Sequence, residues 1–165
     1  MALQSKTTVY LALAGVFALM GGIVFYASLD NAELDQVEIK LTGVELLDVN
    51  TVDNQGKFQV TFLIKNPSNK TLTVSVIDYK LYGDGKLLGS GLYSTTDIAL
   101  PGRALFYPGA EVPLKNTFIL NKSEIDSEIY EDAINERIAG FSAEGKITTQ
   151  TAWSEADKDF KTSYN

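Results

Sequence analysis

The sequence contains no cysteine and no histidine among its 165 residues. Without cysteine there is no disulfide and no thiolate site, so the compartment cannot be inferred from disulfide bonds. Without histidine the chain lacks the usual activator of serine and cysteine nucleophiles and the commonest ligand of transition metals. We therefore predict no enzyme activity, and we predict no cofactor. With 21 acidic residues, two carboxylates will lie close together by chance, but no apolar pocket around such a pair is recognisable.

Basic residues are outnumbered as well. The formal net charge is −7, and 13 basic residues against 21 acidic residues remain after Lys6. Phosphate recognition needs a basic face, so a nucleic-acid partner is disfavoured. Attraction of the domain to anionic lipid headgroups is disfavoured for the same reason.

One long stretch carries no charge at all. Thr7 to Leu29 reads TTVYLALAGVFALMGGIVFYASL, and about 23 residues of helix span about 35 Å, enough to cross a bilayer core of about 30 Å. The stretch predicts a single transmembrane helix over residues 7–29, with the lipid bilayer as its partner. A cleaved signal peptide fits less well, because the apolar core is long and Phe25 is a poor cleavage-site residue. A buried core helix is the remaining alternative.

Charges on either side of this helix suggest its orientation. Residues 1–6 contain one basic residue, Lys6, whereas residues 30–36 form an acidic tether. Basic flanks are retained inside, so we expect a cytoplasmic N-terminus, an extracytoplasmic domain and a plasma-membrane location. Ala14, Ala18 and Gly22 share one helix face, where small residues could let another helix pack closely, although such residues are common in any span.

Residues 37–165 read as one domain built from short strands. Apolar residues alternate with polar ones in most segments, and Gly43 and Ile77 interrupt the alternation where a bulge is expected. Gly83-Asp84-Gly85-Lys86 is typical of a hairpin turn, and Pro113 marks an edge strand. The predicted strands begin at Val37, Lys57, Leu72, Leu87, Ile98, Val112, Phe141 and Phe160. We predict a mainly β, immunoglobulin-like Greek-key sandwich of about seven strands.

A change of period marks one helix in this domain. Apolar residues recur every three or four positions between Asn121 and Gly140, with Ser123 and Asp126 as a capping pair and Gly140 as the C-cap.

The run FQVTFLIKNPSNKTLTVSVIDYKLYGDGKLLGSG resembles the core of the group 2 late-embryogenesis-abundant (LEA2) proteins, also called the water-stress and hypersensitive-response (WHy) domain. The resemblance comprises Asn66-Pro67 at a strand end, the Tyr79–Tyr82 strand end, a glycine turn and small-residue strand, Leu100-Pro101-Gly102, and Glu111–Leu114. It implies an immunoglobulin-like sandwich with a helix near its C-terminal part, a role in desiccation or other stress, and no catalytic residues.

Three further features are weighed against ordinary structural roles. Asp48, Asn50 and Asp53 offer oxygen ligands for Ca²⁺, but their spacing is not that of an EF-hand and a plain Asx turn is favoured. Asn69 and Asn121 begin glycosylation tripeptides, which matter if the domain lies outside the cell. The aromatic residues off the core faces could form an exposed recognition patch; they are Tyr82, Tyr93, Phe106, Tyr107 and Trp153.

These observations predict a membrane-anchored, non-catalytic binding or structural module in stress protection or envelope interactions. The alternative is an accessory subunit of a larger membrane or cell-surface assembly, which would require an unknown protein partner at the face of Ala14, Ala18 and Gly22.

Overall fold

The computed structural model describes residues 2–95 and 103–164. It begins with one long helix, α1 (Ala2–Leu34). Within α1, the segment Lys6–Tyr26 is long and apolar enough to cross a membrane, and none of it is buried within the part of the chain that the structure describes. The alternative of a buried core helix is therefore excluded. The helix continues through most of the predicted tether and ends in a turn in which the Gln36 amide donates to the Glu33 carbonyl over 3.2 Å.

Eight strands lie within the described residues and form two antiparallel sheets. One sheet has the order β1-β2-β6, and the other has the order β4-β3-β7-β8, with the short β5 paired to β3. The strands are β1 (Glu38–Asn50), β2 (Gln55–Lys65), β3 (Leu72–Gly83), β4 (Lys86–Ser94), β5 (Leu105–Phe106), β6 (Glu111–Asn121), β7 (Phe141–Gln150) and β8 (Glu155–Tyr164). The predicted mainly β fold is confirmed. The predicted strand at Ile98 lies outside the described residues.

The two sheets pack face to face. Phe62 of β2 meets Tyr79 of β3 edge-on, with ring centroids 4.9 Å apart, and Phe118 of β6 lies beside Tyr79 at 6.5 Å. These rings belong to the core that the alternation in β2, β3 and β6 predicts. At one side the sheets are tied directly, because the Leu41 amide of β1 donates to the Thr162 hydroxyl of β8 over 3.0 Å.

A bulge lies close to each of the two predicted positions, and the one predicted at Ile77 lies slightly earlier in β3. The register between β1 and β2 shifts between Leu41 and Gly43, and the register between β3 and β7 shifts between Val74 and Val76. Each shift restores the apolar face to the core after an interruption of the alternation. The β3–β4 turn is also as predicted, since Asp84 and Gly85 both have positive φ values, 48° and 79°.

The predicted helix of residues 121–140 is much shorter in the structure. A 3-10 turn (Lys122–Glu124) is followed by α2 (Ser127–Ile134), whose N-cap is Asp126 and whose C-cap is Asn135. The Asp126 carboxylate accepts from the Glu128 amide over 2.8 Å, so the predicted cap pair with Ser123 and the C-cap at Gly140 are wrong. Beyond α2, the Asp84 carboxylate holds the Gly140 amide over 2.9 Å.

Strand directions define two ends of the sandwich. The distal end carries the loop 51–54, the turn 84–85 and the α2 segment 122–140. The helix-proximal end carries the loop 66–71, the segment 103–110 and the loop 151–154, and it is the end at which α1 enters β1.

Candidate functional site

Asn66 is the centre of the helix-proximal end. Its side chain is fully buried, and its amide group donates to the Lys70 carbonyl over 2.7 Å and to the Phe106 carbonyl over 2.9 Å. Its side-chain oxygen accepts from the Ser68 amide over 3.1 Å and from the Ser68 hydroxyl over 2.7 Å. Every hydrogen-bonding position of the side chain is thus used, and no glutamine or aspartate could reproduce the set.

The backbone of Asn66 completes this junction. Its amide donates to the Ala110 carbonyl over 3.0 Å, and its carbonyl accepts from the Gly109 amide over 2.7 Å. Pro67 is exposed and ends β2, as its missing N–H requires. The Asn66-Pro67 motif therefore joins the loop 66–71 to the segment 103–110. The Leu100-Pro101-Gly102 part of the family pattern lies outside the described residues.

The C-terminal part of α1 is fixed to the same end of the sandwich. Leu34 and Val37 are buried in the core. The Lys158 ammonium of β8 donates to the carbonyls of Asp35 and Val37, over 2.7 Å each, and the Asn69 amide donates to the Glu33 carboxylate over 3.2 Å. These contacts join the end of α1 to β8 and to the loop 66–71, which are far away in sequence. The composition and spacing of residues 30–36 therefore carry no signal for them.

A groove separates the loop 151–154 from α1. It has a volume of about 480 Å³. The loop that carries Trp153 is closed on itself, since the Thr151 amide donates to the Ser154 carbonyl over 2.8 Å and the Thr151 hydroxyl accepts from the Ser154 amide over 3.1 Å. The groove is lined by Leu19, Gly22, Ile23, Tyr26 and Trp153.

The predicted aromatic patch is divided between several places. Phe106 is buried against the start of β3, where it pairs with Leu72. Tyr82 lies near the distal end and donates from its hydroxyl to the Glu144 carboxylate over 2.6 Å. Of the five predicted residues, only Trp153 and Tyr107 share the helix-proximal end with rings that are mostly exposed. The sequence could flag both as loop aromatics, but it could not show that the fold brings them to one end.

The outer face of the β4-β3-β7-β8 sheet carries a charged network. Glu144 accepts from Tyr82 and from the Lys161 ammonium over 3.0 Å, and these two hydrogen bonds lower the pKa of its carboxyl group. Asp157 accepts from the Thr148 hydroxyl over 2.8 Å and from the Lys146 ammonium over 3.3 Å, which lowers its pKa in the same way. A general acid needs a raised pKa instead, so these carboxylates suit ion pairing rather than proton donation.

The structure forms an Asx turn from the candidate calcium ligands. The Asn50 side-chain oxygen accepts from the Val52 amide over 3.0 Å and from the Asp53 amide over 3.1 Å, and its side-chain amide donates to the Asp53 carboxylate over 2.7 Å. Asp48 lies in β1 beside this turn. Among the described residues, no three acidic side chains gather as a metal site would require.

The other candidate residues are dispersed. Asn69 is exposed in the loop 66–71, and Asn121 ends β6, where its side chain donates to Glu124 over 2.9 Å. Ala14, Ala18 and Gly22 are exposed on α1, and Gly22 is also a wall of the groove beside Trp153. The predicted glycosylation and helix-packing roles stay predictions.

Comparisons with known proteins show a similar fold but do not assign a family. No family model and no curated protein matches the chain. A protein from Arabidopsis thaliana, solved in solution, is similar with 12% identity and a TM-score of 0.51, over 77% of this chain and 78% of that chain. A protein from Archaeoglobus fulgidus is similar with 16% identity and a TM-score of 0.46, over 76% of this chain and 96% of that one.

A third solved structure is assigned provisionally to the LEA proteins. It is similar with 10% identity and a TM-score of 0.40, over 92% of this chain and 86% of that one. The likeness to the Arabidopsis thaliana protein confirms the kind of fold that the predicted LEA2-like resemblance implies. At these identities the likeness says nothing about activity.

Proposed function

We propose that this chain is a single-pass protein of the plasma membrane that holds a non-catalytic LEA2-like sandwich outside the cytoplasm, in stress protection or envelope interactions. The observation that supports the proposal is the exposed apolar surface of α1. Its apolar side chains between Lys6 and Tyr26 are exposed along the whole segment. A continuous apolar surface of this size is unfavourable in water and favourable in lipid. A LEA2-like fold on such an anchor suits a protective module at the membrane surface.

The orientation of the chain in the membrane can be tested by cysteine labelling. The wild-type chain gives no background labelling, because it contains no cysteine. Single cysteines are introduced as Gln4→Cys before the span and as Val52→Cys in the distal loop, where the Val52 side chain is 87% exposed. We expect a membrane-impermeant maleimide to label Val52→Cys in intact cells and Gln4→Cys only in opened cells. The opposite labelling pattern would invert the proposed topology and remove the envelope role.

Stress protection can be tested with vesicles that are dried and rehydrated. Vesicles containing the full chain are compared with vesicles containing residues 1–36 at the same protein-to-lipid ratio. We expect the full chain to retain more of an encapsulated dye, because the sandwich keeps a hydrated protein layer between neighbouring bilayers. Equal leakage from both preparations would argue against protection by the domain.

The alternative function is that of an accessory subunit, and the exposed row of Ala14, Ala18 and Gly22 supports it. Changing all three to leucine should then remove co-purifying proteins in gentle detergent. The matched control changes three exposed residues on the opposite face, Val9, Ala12 and Val16, to leucine. Identical co-purification from both triple variants would exclude an interface at this row.

A further inference from the structure

Three exposed apolar side chains lie at the helix-proximal end. Trp153 is 78% exposed, Tyr107 is 60% exposed and Leu105 is 49% exposed. Trp153 belongs to the loop that joins β7 to β8, whereas Leu105 and Tyr107 belong to the segment that precedes β6. Strand pairing brings both regions to the start of β3, since Leu72 pairs with Phe106 and Thr73 pairs with Gln150. The end of the sandwich nearest α1 therefore presents apolar groups to its surroundings.

The level at which Trp153 lies beside α1 determines its depth relative to the bilayer. The groove beside Trp153 is lined by Leu19, Gly22, Ile23 and Tyr26, which all belong to the apolar segment Lys6–Tyr26. The seven residue-to-residue steps of helix from Leu19 to Tyr26 correspond to about 10 Å. A bilayer that covers the apolar segment must therefore reach the level of Trp153, because the segment has no length to spare across a core of about 30 Å.

The charges at this end are balanced locally. Lys65 pairs with Glu111 over 3.1 Å, and Lys158 is held by two backbone carbonyls. The Lys70 ammonium lies 6.0 Å from the centre of the Tyr26 ring, where a cation is attracted to the aromatic face. Arg103, at the start of the segment 103–110, donates to the Gln150 side chain over 3.2 Å. Because these cations have partners within the fold, an attraction of this end to the bilayer would be apolar rather than electrostatic.

We propose that the helix-proximal end is seated in the headgroup region of the bilayer that holds α1, with Trp153 inserted and lipid acyl chains filling the groove beside α1. The inference rests on the proposed membrane anchor. Tryptophan and tyrosine rings prefer this region, where an apolar ring meets lipid and its polar atom meets water. This insertion would hold the sandwich at a fixed height and orientation, so that the distal end faces away from the membrane.

Trp153 is the only tryptophan in the chain, so intrinsic fluorescence reports on this residue alone. The full chain is reconstituted in phosphatidylcholine vesicles whose acyl chains are brominated near the headgroup. We expect a blue-shifted emission maximum, a loss of emission in brominated compared with ordinary lipid, and protection from iodide. Added salt should leave the quenching by bromine unchanged. Emission that iodide quenches fully and brominated lipid does not quench would overturn the proposal.

Two reporters in a Trp153→Phe background separate this proposal from the anchor. Val52→Trp places the indole in a distal loop, and it should be quenched by iodide and not by brominated lipid. Tyr10→Trp places the indole in the apolar segment, and it should be quenched by brominated lipid. If brominated lipid quenches Tyr10→Trp but does not quench Trp153, the membrane anchor is supported and the proposed insertion of the helix-proximal end is wrong. If brominated lipid does not quench Tyr10→Trp, the membrane anchor and the proposed insertion are both wrong.

Discussion

Asn66 shows how one buried polar residue can organise an end of a sandwich. Four side-chain hydrogen bonds and two backbone hydrogen bonds converge on it, and they connect the loop 66–71 to the segment 103–110. Such a residue defines a unique loop geometry because any substitution leaves several partners unsatisfied. The Asn66-Pro67 pair of the predicted family pattern therefore has a structural role in this loop.

Replacement of this residue should be costly. Asn66→Ala removes the partner of the Phe106 carbonyl and of the Ser68 amide, and it leaves the Lys70 carbonyl with only the Ser68 hydroxyl at 3.3 Å. We therefore expect a loss of about 3 kcal/mol in the free energy of unfolding. Urea unfolding of the full chain in micelles measures the change. The neighbouring Asn69→Ala is the control, since Asn69 is exposed, and it should change stability by less than about 0.5 kcal/mol. Similar losses for both variants would contradict the central role of Asn66.

Tyr79 gives a prediction for alkaline pH. Burial raises the pKa of its hydroxyl to about 12, although the hydrogen bond from the Asn116 side chain, over 3.0 Å, opposes the shift. A pKa that is higher in the folded than in the unfolded chain contributes stability below pH 10.0, and that stability is lost as the pH rises to about 12. The full loss corresponds to about 2.7 kcal/mol for a shift of about two units.

The measurement is the urea midpoint as a function of pH for the wild type and for Tyr79→Phe. We expect the wild type to lose stability faster than the variant above pH 10.0, because phenylalanine cannot ionise. The variant retains the ring and its contacts with Phe62 and Phe118, so a constant offset from the lost hydrogen bond is expected at lower pH. Parallel pH profiles would show that Tyr79 does not ionise on unfolding.

At the scale of elements, glycine decides how closely β7 approaches β3. A Cβ at Gly145 would overlap the backbone carbonyl oxygen of Asp78, and the Tyr79 Cα would lie 2.8 Å from it. Backbone cannot move aside as a flexible side chain can, so the β3–β7 pairing would have to separate. At Gly43, in the bulge of β1, the nearest atom to an added Cβ would be Thr61 Cβ at 3.8 Å, an ordinary contact.

The two glycines therefore make a matched pair. We expect Gly145→Ala to lower the free energy of unfolding by about 3 kcal/mol or more, as overpacking against fixed atoms does. Gly43→Ala should change it by less than about 1 kcal/mol. Thermal melting by circular dichroism compares the two variants. A melting temperature of Gly145→Ala within the range of Gly43→Ala would show that β7 can shift away from β3.

The sequence predicts the strands of this fold better than its second helix. The alternation of apolar and polar residues is a local property of the chain. It predicts β2, β3 and β6, and its interruptions predict the two bulges approximately, because each strand has one buried face. The spacing of Ile125, Ile134 and Ile138 looks helical, yet α2 ends at Ile134 and Ile138 packs against Gly83 from irregular backbone. Periodicity reports which residues are buried but not the backbone conformation that buries them, so the spacing overestimates the length of the helix.

At the scale of the whole molecule, the sequence predicts the anchor and the domain but not their junction. The charge-free stretch and the Asn66-Pro67 turn are local signals. The contact of Lys158 with Asp35 and Val37 spans more than 120 residues, and no local pattern encodes it. The acidic residues 30–36 predict a short tether out of the membrane, whereas α1 continues to Leu34, whose side chain is buried in the core.

The junction predicts where the chain can be shortened. Removing residues 1–27 deletes the apolar segment and keeps Leu34 and Val37, so we expect a folded, water-soluble sandwich. Removing residues 1–37 also removes both buried side chains and the carbonyls that hold Lys158. Burial of two such side chains contributes about 3–6 kcal/mol, and the shorter chain should be less stable by an amount of this order.

Urea unfolding in the absence of detergent compares the two truncated chains. The double substitution Leu34→Ala and Val37→Ala in the longer one keeps the backbone and removes only the side chains. If buried apolar area is what fixes α1 to the sandwich, this variant should approach the stability of the shorter chain. Equal stability of the two truncated chains would mean that residues 28–37 contribute no net folding energy. The end of α1 would then be free to pivot on the sandwich, and a bilayer could not fix the height of Trp153 through it.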